Sequence, residues 1–146
     1  MRAPQAEDLL SPLARQLFDR TPGAGAPAGP PPRGALVWRQ GSAGAPLVGP
    51  RVVVHIALDS AKRVQALRWQ AWGCPHTLAT LAWLSEQWPG RTLADPPDGG
   101  PAGWARALDV PVEKLGRLLV IEDAVLACLK REPVVAGTAG ASWGPT

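Results

Sequence analysis

The sequence predicts an α+β domain: a three-stranded antiparallel sheet covered on one face by helices, with an N-terminal helix and a long C-terminal helix. Three observations carry this reading. The β-branched run at residues 51–58 ends in the turn Asp59-Ser60-Ala61-Lys62 and is followed by an alternating segment, which together make a hairpin. After Gly73 the apolar period changes from two to three and four. Residues 112–131 then keep a helical apolar spacing until Pro133 closes it.

The first helix is predicted over residues 6–19, where Leu9, Leu10, Leu13, Leu17 and Phe18 share one face. Asp19-Arg20-Thr21-Pro22-Gly23 stops it, and a Gly/Ala/Pro loop runs to Gly34. A short strand follows at residues 35–39, then the two hairpin strands at 51–58 and 63–72. In the last of these, Gln65, Leu67, Trp69 and Ala71 should face the core, and Val64, Ala66, Arg68 and Gln70 should face away. Leu78, Leu81, Ala82, Leu84 and Trp88 mark a second helix, ended by Pro89-Gly90. Residues 91–103 read as loop, with a short turn at 92–94, and residues 104–108 as a short helix. The final helix, 112–131, presents Leu115, Leu118, Leu119, Glu122, Val125, Leu126 and Leu129 as its face. One domain is expected over residues 1–132, with a loose tail at 133–146.

The bulk composition excludes several function classes. A chain of 146 residues buries about 70% of its unfolded surface and needs no disulfides to hold a core. Two cysteines are too few for a disulfide framework or a four-cysteine metal site, so a reducing, cytoplasmic compartment is expected. The net charge is +3, and the 15 basic residues are scattered, with no stripe for nucleic acid. Residues 1–20 carry early acids and no apolar core segment, so no secretory leader is expected. No stretch approaches the ~20 apolar residues of a membrane span. The Ala/Arg/Pro bias, with seven Trp beside one Phe and no Tyr, suggests a GC-rich bacterial source.

The most suggestive chemistry lies in Gly73-Cys74-Pro75-His76-Thr77, where a strand ends and a helix begins. Pro75 suits the first helical position and makes Cys74 the N-cap. A thiol there faces unpaired backbone N–H groups and the positive helix end, which favour the thiolate that binds metal or attacks electrophiles. The plainer alternative is a small cysteine filling a tight turn. His76 is the nearest second donor, although positions two apart in a helix do not face each other. His55 reads as a satisfied strand histidine, and Cys128 as a helix residue at the core edge. No phosphate loop, paired carboxylates or Ser/His/Asp set is present, so the chain is not expected to be an enzyme. Trp38, Trp72, Trp83 and Trp104 are candidates for a docking surface.

The ordered set Leu17-Phe18-Asp19, Gly44-Ala45-Pro46, a hairpin, Trp72-Gly73-Cys74 opening a helix, and Val110-Pro111-Val112-Glu113-Lys114 before a helix with Glu122-Asp123-Ala124 resembles the NifU/IscU/SufU iron–sulfur scaffold domain. The likeness runs over roughly residues 8–131. The resemblance implies a cluster-assembly scaffold in which three cysteines and an Asp hold a nascent iron–sulfur cluster or zinc. Carried over position by position, the second cysteine is Cys74. The first falls on Val48, the Asp on Pro50, the third cysteine on Arg117, and the His before it on Gly116. The Leu-Pro-Pro-Val-Lys chaperone motif of one branch is echoed in part by Val110 to Lys114.

Two functions follow from this pattern. One is a scaffold that keeps one cysteine ligand, Cys74, with His76 as a further metal donor. The other is a metal-free binding module of the same fold that docks assembly partners. The resemblance implies a cysteine desulfurase and acceptor proteins as partners, and an iron–sulfur cluster, zinc or no metal as cargo. Arg117 is expected near Cys74, where a guanidinium pairs with a thiolate and modulates the site.

Overall fold

A computed structural model of the chain describes residues 10–32, 34–35, 37–44 and 51–129. Three strands, β1 (Val37–Gly44), β2 (Arg51–Leu58) and β3 (Val64–Trp72), form an antiparallel sheet in the order β1-β2-β3. Four helices accompany it among the described residues: α1 (Pro12–Arg20), α2 (Pro75–Gln87), α3 (Pro101–Leu108) and α4 (Leu115–Ala127). The predicted α+β class, with its three-stranded sheet, is the observed one. The tail at 133–146 and the residues before Leu10 lie outside the described residues.

β2 is central: apart from His55, residues 52–58 are apolar on both faces, and all of Val52 to Leu58 are buried. Val52, Val54, Ile56 and Leu58 point into the main core with Leu67 and Trp69 of β3. Leu81, Leu84, Trp104, Leu118 and Ile121 close that core from the helices. Each such side chain contributes about 1.5–3 kcal/mol by leaving water. Val64 joins the same core, although simple alternation places it outward. A bulge between Ala57 and Leu58 pairs Leu58 with Val64 and Ala57 with Ala66, leaving Gln65 as the extra residue and turning Val64 inward.

β1 is longer than the predicted 35–39. Gln40, Gly41, Ser42 and Ala43 have little strand propensity, but they pair in register with His55, Val54, Val53 and Val52. The sheet template overrides the local preference. Gly41 has a further role, because α4 crosses β1 there: a Cβ at Gly41 meets the Ala124 carbonyl and the backbone nitrogen of Cys128.

The second face of the sheet carries Trp38, Gln40, His55, Ala57, Arg68 and Gln70 in facing register. The Gly/Ala/Pro loop, predicted only as a loop, is tied to this face and to the β3 edge. Gly25 N–H donates to the Trp69 carbonyl, and Trp69 N–H donates to the Gly23 carbonyl. Arg68 donates to the carbonyls of Ala24 (2.6 Å) and Gly25 (3.2 Å). Trp38, on the far strand, donates its indole N–H to the Gly29 carbonyl at 3.1 Å. The loop thus reaches from β3 to β1, and Val53, His55 and Ala57 beneath are buried.

α1 begins at Pro12, later than predicted. Ser11 caps it, accepting from Ala14 N–H at 3.1 Å and donating to the Leu108 carbonyl at 3.0 Å. A proline disfavours helical backbone at the residue before it, so the helix starts there. Ala14 and Leu17 reach the core, whereas Leu13 is exposed. α3 starts at Pro101 instead of residue 104, after a 3-10 turn at Pro97–Gly99. α4 is shorter than the predicted 112–131, with a 3-10 turn at Val112–Lys114 before it. Its buried face is Leu118, Ile121, Ala124 and Val125, and the predicted face members Leu119, Leu126 and Leu129 are exposed. No described helix is long and apolar enough to cross a membrane.

Candidate functional site

Cys74 stands at the N-cap of α2, with extended backbone and Pro75 at the first helical position. Its carbonyl accepts from Thr77 and Leu78 N–H at 3.0 and 3.2 Å, which fixes the strand-to-helix corner. The thiol makes no capping bond to a backbone N–H. It meets the hydroxyl of Thr77 instead, Sγ to Oγ1 at 3.6 Å. Thr77 is buried and Cys74 is half-buried, so the sulfur sits at the rim of the helix start. Sequence reasoning missed Thr77; a hydroxyl at the third helical position was the available signal.

His76 is the second residue of α2, two positions after Cys74, and is only 1% exposed. Thr80 donates its hydroxyl to the His76 carbonyl at 2.7 Å. The imidazole therefore belongs to the packed interior, while Cys74 stays at the surface side of the corner. Among the described residues, no three His, Cys, Asp or Glu side chains are grouped to hold a metal ion.

Arg117, half-buried in the first turn of α4, makes no ion pair or hydrogen bond among the described residues. The pairing expected between its guanidinium and Cys74 is not formed there. Gly116, the position before it, is exposed and open. Val48 and Pro50 lie outside the described residues.

Cys128 is fully buried, with Sγ 3.6 Å from the Ala124 carbonyl and 3.9 Å from that of Val54. It fills the crossing of α4 over β1 instead of standing at a core edge. His55 is buried on the second sheet face, its Nε2 3.2 Å from Gln70 Oε1. Burial holds its pKa below the ordinary 6.5; Gln70 opposes the shift, and the Arg68 charge adds to it.

The tryptophans divide. Trp83 and Trp104 are core residues, and Trp104 donates to the Pro97 carbonyl at 2.8 Å and packs edge-on against Trp88. They offer no docking surface. Trp72 is 55% exposed, two residues before Cys74, with the Arg51 guanidinium 5.9 Å from its ring centre. Arg51 was not singled out in the sequence, because only the strand register brings it opposite Trp72. Trp72, Arg51 and Cys74 thus gather at one end of the β2–β3 hairpin.

The comparisons agree with this architecture. The chain is 31% identical over 91 residues to the mitochondrial iron sulfur cluster assembly protein 1 of Eremothecium gossypii. That match covers 62% of this chain and 59% of the fungal protein's length. In structure the chain is similar to a putative iron–sulfur cluster assembly scaffold protein for the SUF system from Fervidobacterium islandicum AW-1, with a TM-score of 0.53. The two are 14% identical, and the similarity covers 81% of this chain and 95% of the other. Residues 29–130 match the NifU-like N terminal domain, and the chain belongs to that family.

Proposed function

We propose that this chain serves iron–sulfur cluster assembly as a non-catalytic member of the scaffold fold that does not hold a cluster by itself. The observation that carries the reading is the state of its thiols. The chain has two cysteines; Cys128 is consumed by packing, and Cys74 alone reaches the surface. A cluster needs up to four thiolate-type ligands, and a closed zinc site needs four donors. The donor set present does not fit such cargo within one chain. The family's usual ligand set is thereby reduced to Cys74, with Arg117 at a ligand's place.

What remains is the scaffold surface. Trp72 with Arg51 beside Cys74 supplies an aromatic and cationic patch of the kind favoured at protein interfaces. Assembly proteins, a cysteine desulfurase and cluster acceptors among them, are the partners this reading implies. A reducing, cytoplasmic setting suits a chain whose surface cysteine works as a thiol.

A second reading keeps Cys74 as one ligand of a cluster completed by a partner, and the partial exposure of that thiol favours it. Anaerobic reconstitution with iron and sulfide separates the two. A colourless, metal-free protein is the expected result. Near-stoichiometric iron with visible absorption, lost in Cys74→Ala, overturns the proposal in favour of a cluster-bearing scaffold.

A further inference from the structure

The loop at residues 22–32 lies as a strap across the second face of the sheet, and its anchors are few. Gly23 and Gly25 pair with the backbone of Trp69 at the β3 edge. Arg68 donates to the Ala24 and Gly25 carbonyls, and Trp38 donates to that of Gly29. Gly25 has φ +104° and lies so close to the guanidinium that a Cβ there would meet Arg68 Nη2 at 3.1 Å. The bonds to Ala24 and Gly29 stand open to water, where each contributes little. Pro22 to Pro32 contains only Pro, Gly and Ala, so the strap has no titratable group and little apolar area to bury. Hydrogen bonds hold it, which places it at the low-stability end of the fold.

Beneath the strap lies His55, 6% exposed. On β3 it stands directly opposite Arg68, and its Nε2 meets Gln70 Oε1 at 3.2 Å. On β1 it stands opposite Gln40. On its own strand the other charge of this face is Arg51, four residues away and set against Trp72. The helices close the core from the opposite face. Among the described residues the strands thus give this face two arginines and no carboxylate. A proton on His55 creates a second buried cation beside Arg68 with no counter-charge. Burial resists that proton first, Gln70 favours it, and the Arg68 charge resists it further. Water is the cheapest remedy, and the strap is the most weakly held cover. Arg68 is also the residue that grips the strap, so repulsion between the two cations acts on the anchor itself. We propose that the strap is a pH-sensitive cover: protonation of His55 lifts residues 23–29 from Arg68 and Trp38 and opens the second face of the sheet to solvent, while β2 and the helices stay in place.

Native-state hydrogen exchange of the full chain tests this, read as protection factors at pH about 7.5 and 5.5 so that the chemical pH dependence of exchange is removed. Protection of the Gly25 amide should fall on acidification by about twofold to tenfold, tenfold being the limit when the open form titrates at the ordinary 6.5. Amides in the middle of β2 should keep their protection. In His55→Gln, which takes no proton, the fall at Gly25 should vanish. If that variant does not fold, the parent chain carries the test: the His55 imidazole resonances should shift over the same pH range in which Gly25 loses protection. Protection at Gly25 that is indifferent to pH overturns the proposal. So does a fall that persists in His55→Gln, or one shared equally by the middle of β2, which is opening of the whole fold.

Discussion

The Ala124 carbonyl of α4 occupies the position where a side chain at Gly41 of β1 would begin. This contact sets the distance between the last helix and the edge strand. It also explains why Cys128, one turn beyond Ala124, has its sulfur against the Val54 carbonyl on the neighbouring strand.

Gly41→Ala should therefore push α4 off the sheet. We expect a loss of about 2 kcal/mol or more, since the obstacle is backbone and cannot rotate away. Urea denaturation measures it. A variant as stable as the parent would show that α4 does not rest on β1 at this point.

The two kinds of tryptophan should respond oppositely. Trp104→Ala removes a fully buried ring and its hydrogen bond to Pro97, and should cost about 3–5 kcal/mol. Trp72→Ala, at a largely exposed position, should fall within about 0.5 kcal/mol of the parent. Thermal melts of the two variants side by side provide the check.

Thiol labelling should read the site directly. Native protein treated with iodoacetamide is expected to gain one adduct, on Cys74, and a second on Cys128 only in denaturant. Intact mass with peptide mapping assigns them. Early modification of Cys128 in native buffer contradicts the packing described.

His55 should make the fold sensitive to mild acid. Its folded pKa lies below the ordinary 6.5, so near and below that value the unfolded chain binds a proton that the native state refuses. Stability is then fully present above pH 6.5 and declines as pH falls from there toward the folded pKa. The slope from one proton is at most about 1.4 kcal/mol per pH unit. In His55→Gln this part of the slope should disappear, as denaturation at pH 7.5 and about 5.5 will reveal.

The covering loop should depend on Arg68. Arg68→Met removes its bonds to the Ala24 and Gly25 carbonyls, at a cost of about 1 kcal/mol. Hydrogen exchange at the Gly25 amide, which donates to Trp69, should accelerate while exchange in the middle of β2 stays slow. Unchanged exchange at Gly25 means that the loop is held by other contacts.

The sequence by itself determined the element types and their order. β-branched residues in Arg51–Leu58, the Asp59 turn and the periodic leucines are local signals, and each produced the element it implied. The N-cap place of Cys74 was also legible, because Pro75 constrains its own φ and the conformation of the residue before it. Tertiary structure decided what local pattern cannot encode. The bulge beside Leu58 turned Val64 inward, and pairing with β2 drew Gln40 to Ala43 into a strand. The rotation of α4 against the sheet chose Leu118 and Ile121 for the core and left Leu119 and Leu126 outside. A helical stripe as wide as this one offers several apolar faces, and only the partners it packs against select among them. The same holds for Cys74, His76 and Arg117. Nearness in sequence suggested His76, and the family resemblance suggested Arg117, as neighbours of Cys74, but burial separates His76 from the surface thiol, and Arg117 sits on a different helix without bonding to it. Contact between side chains depends on where backbones cross, a property of the assembled fold and not of any one segment.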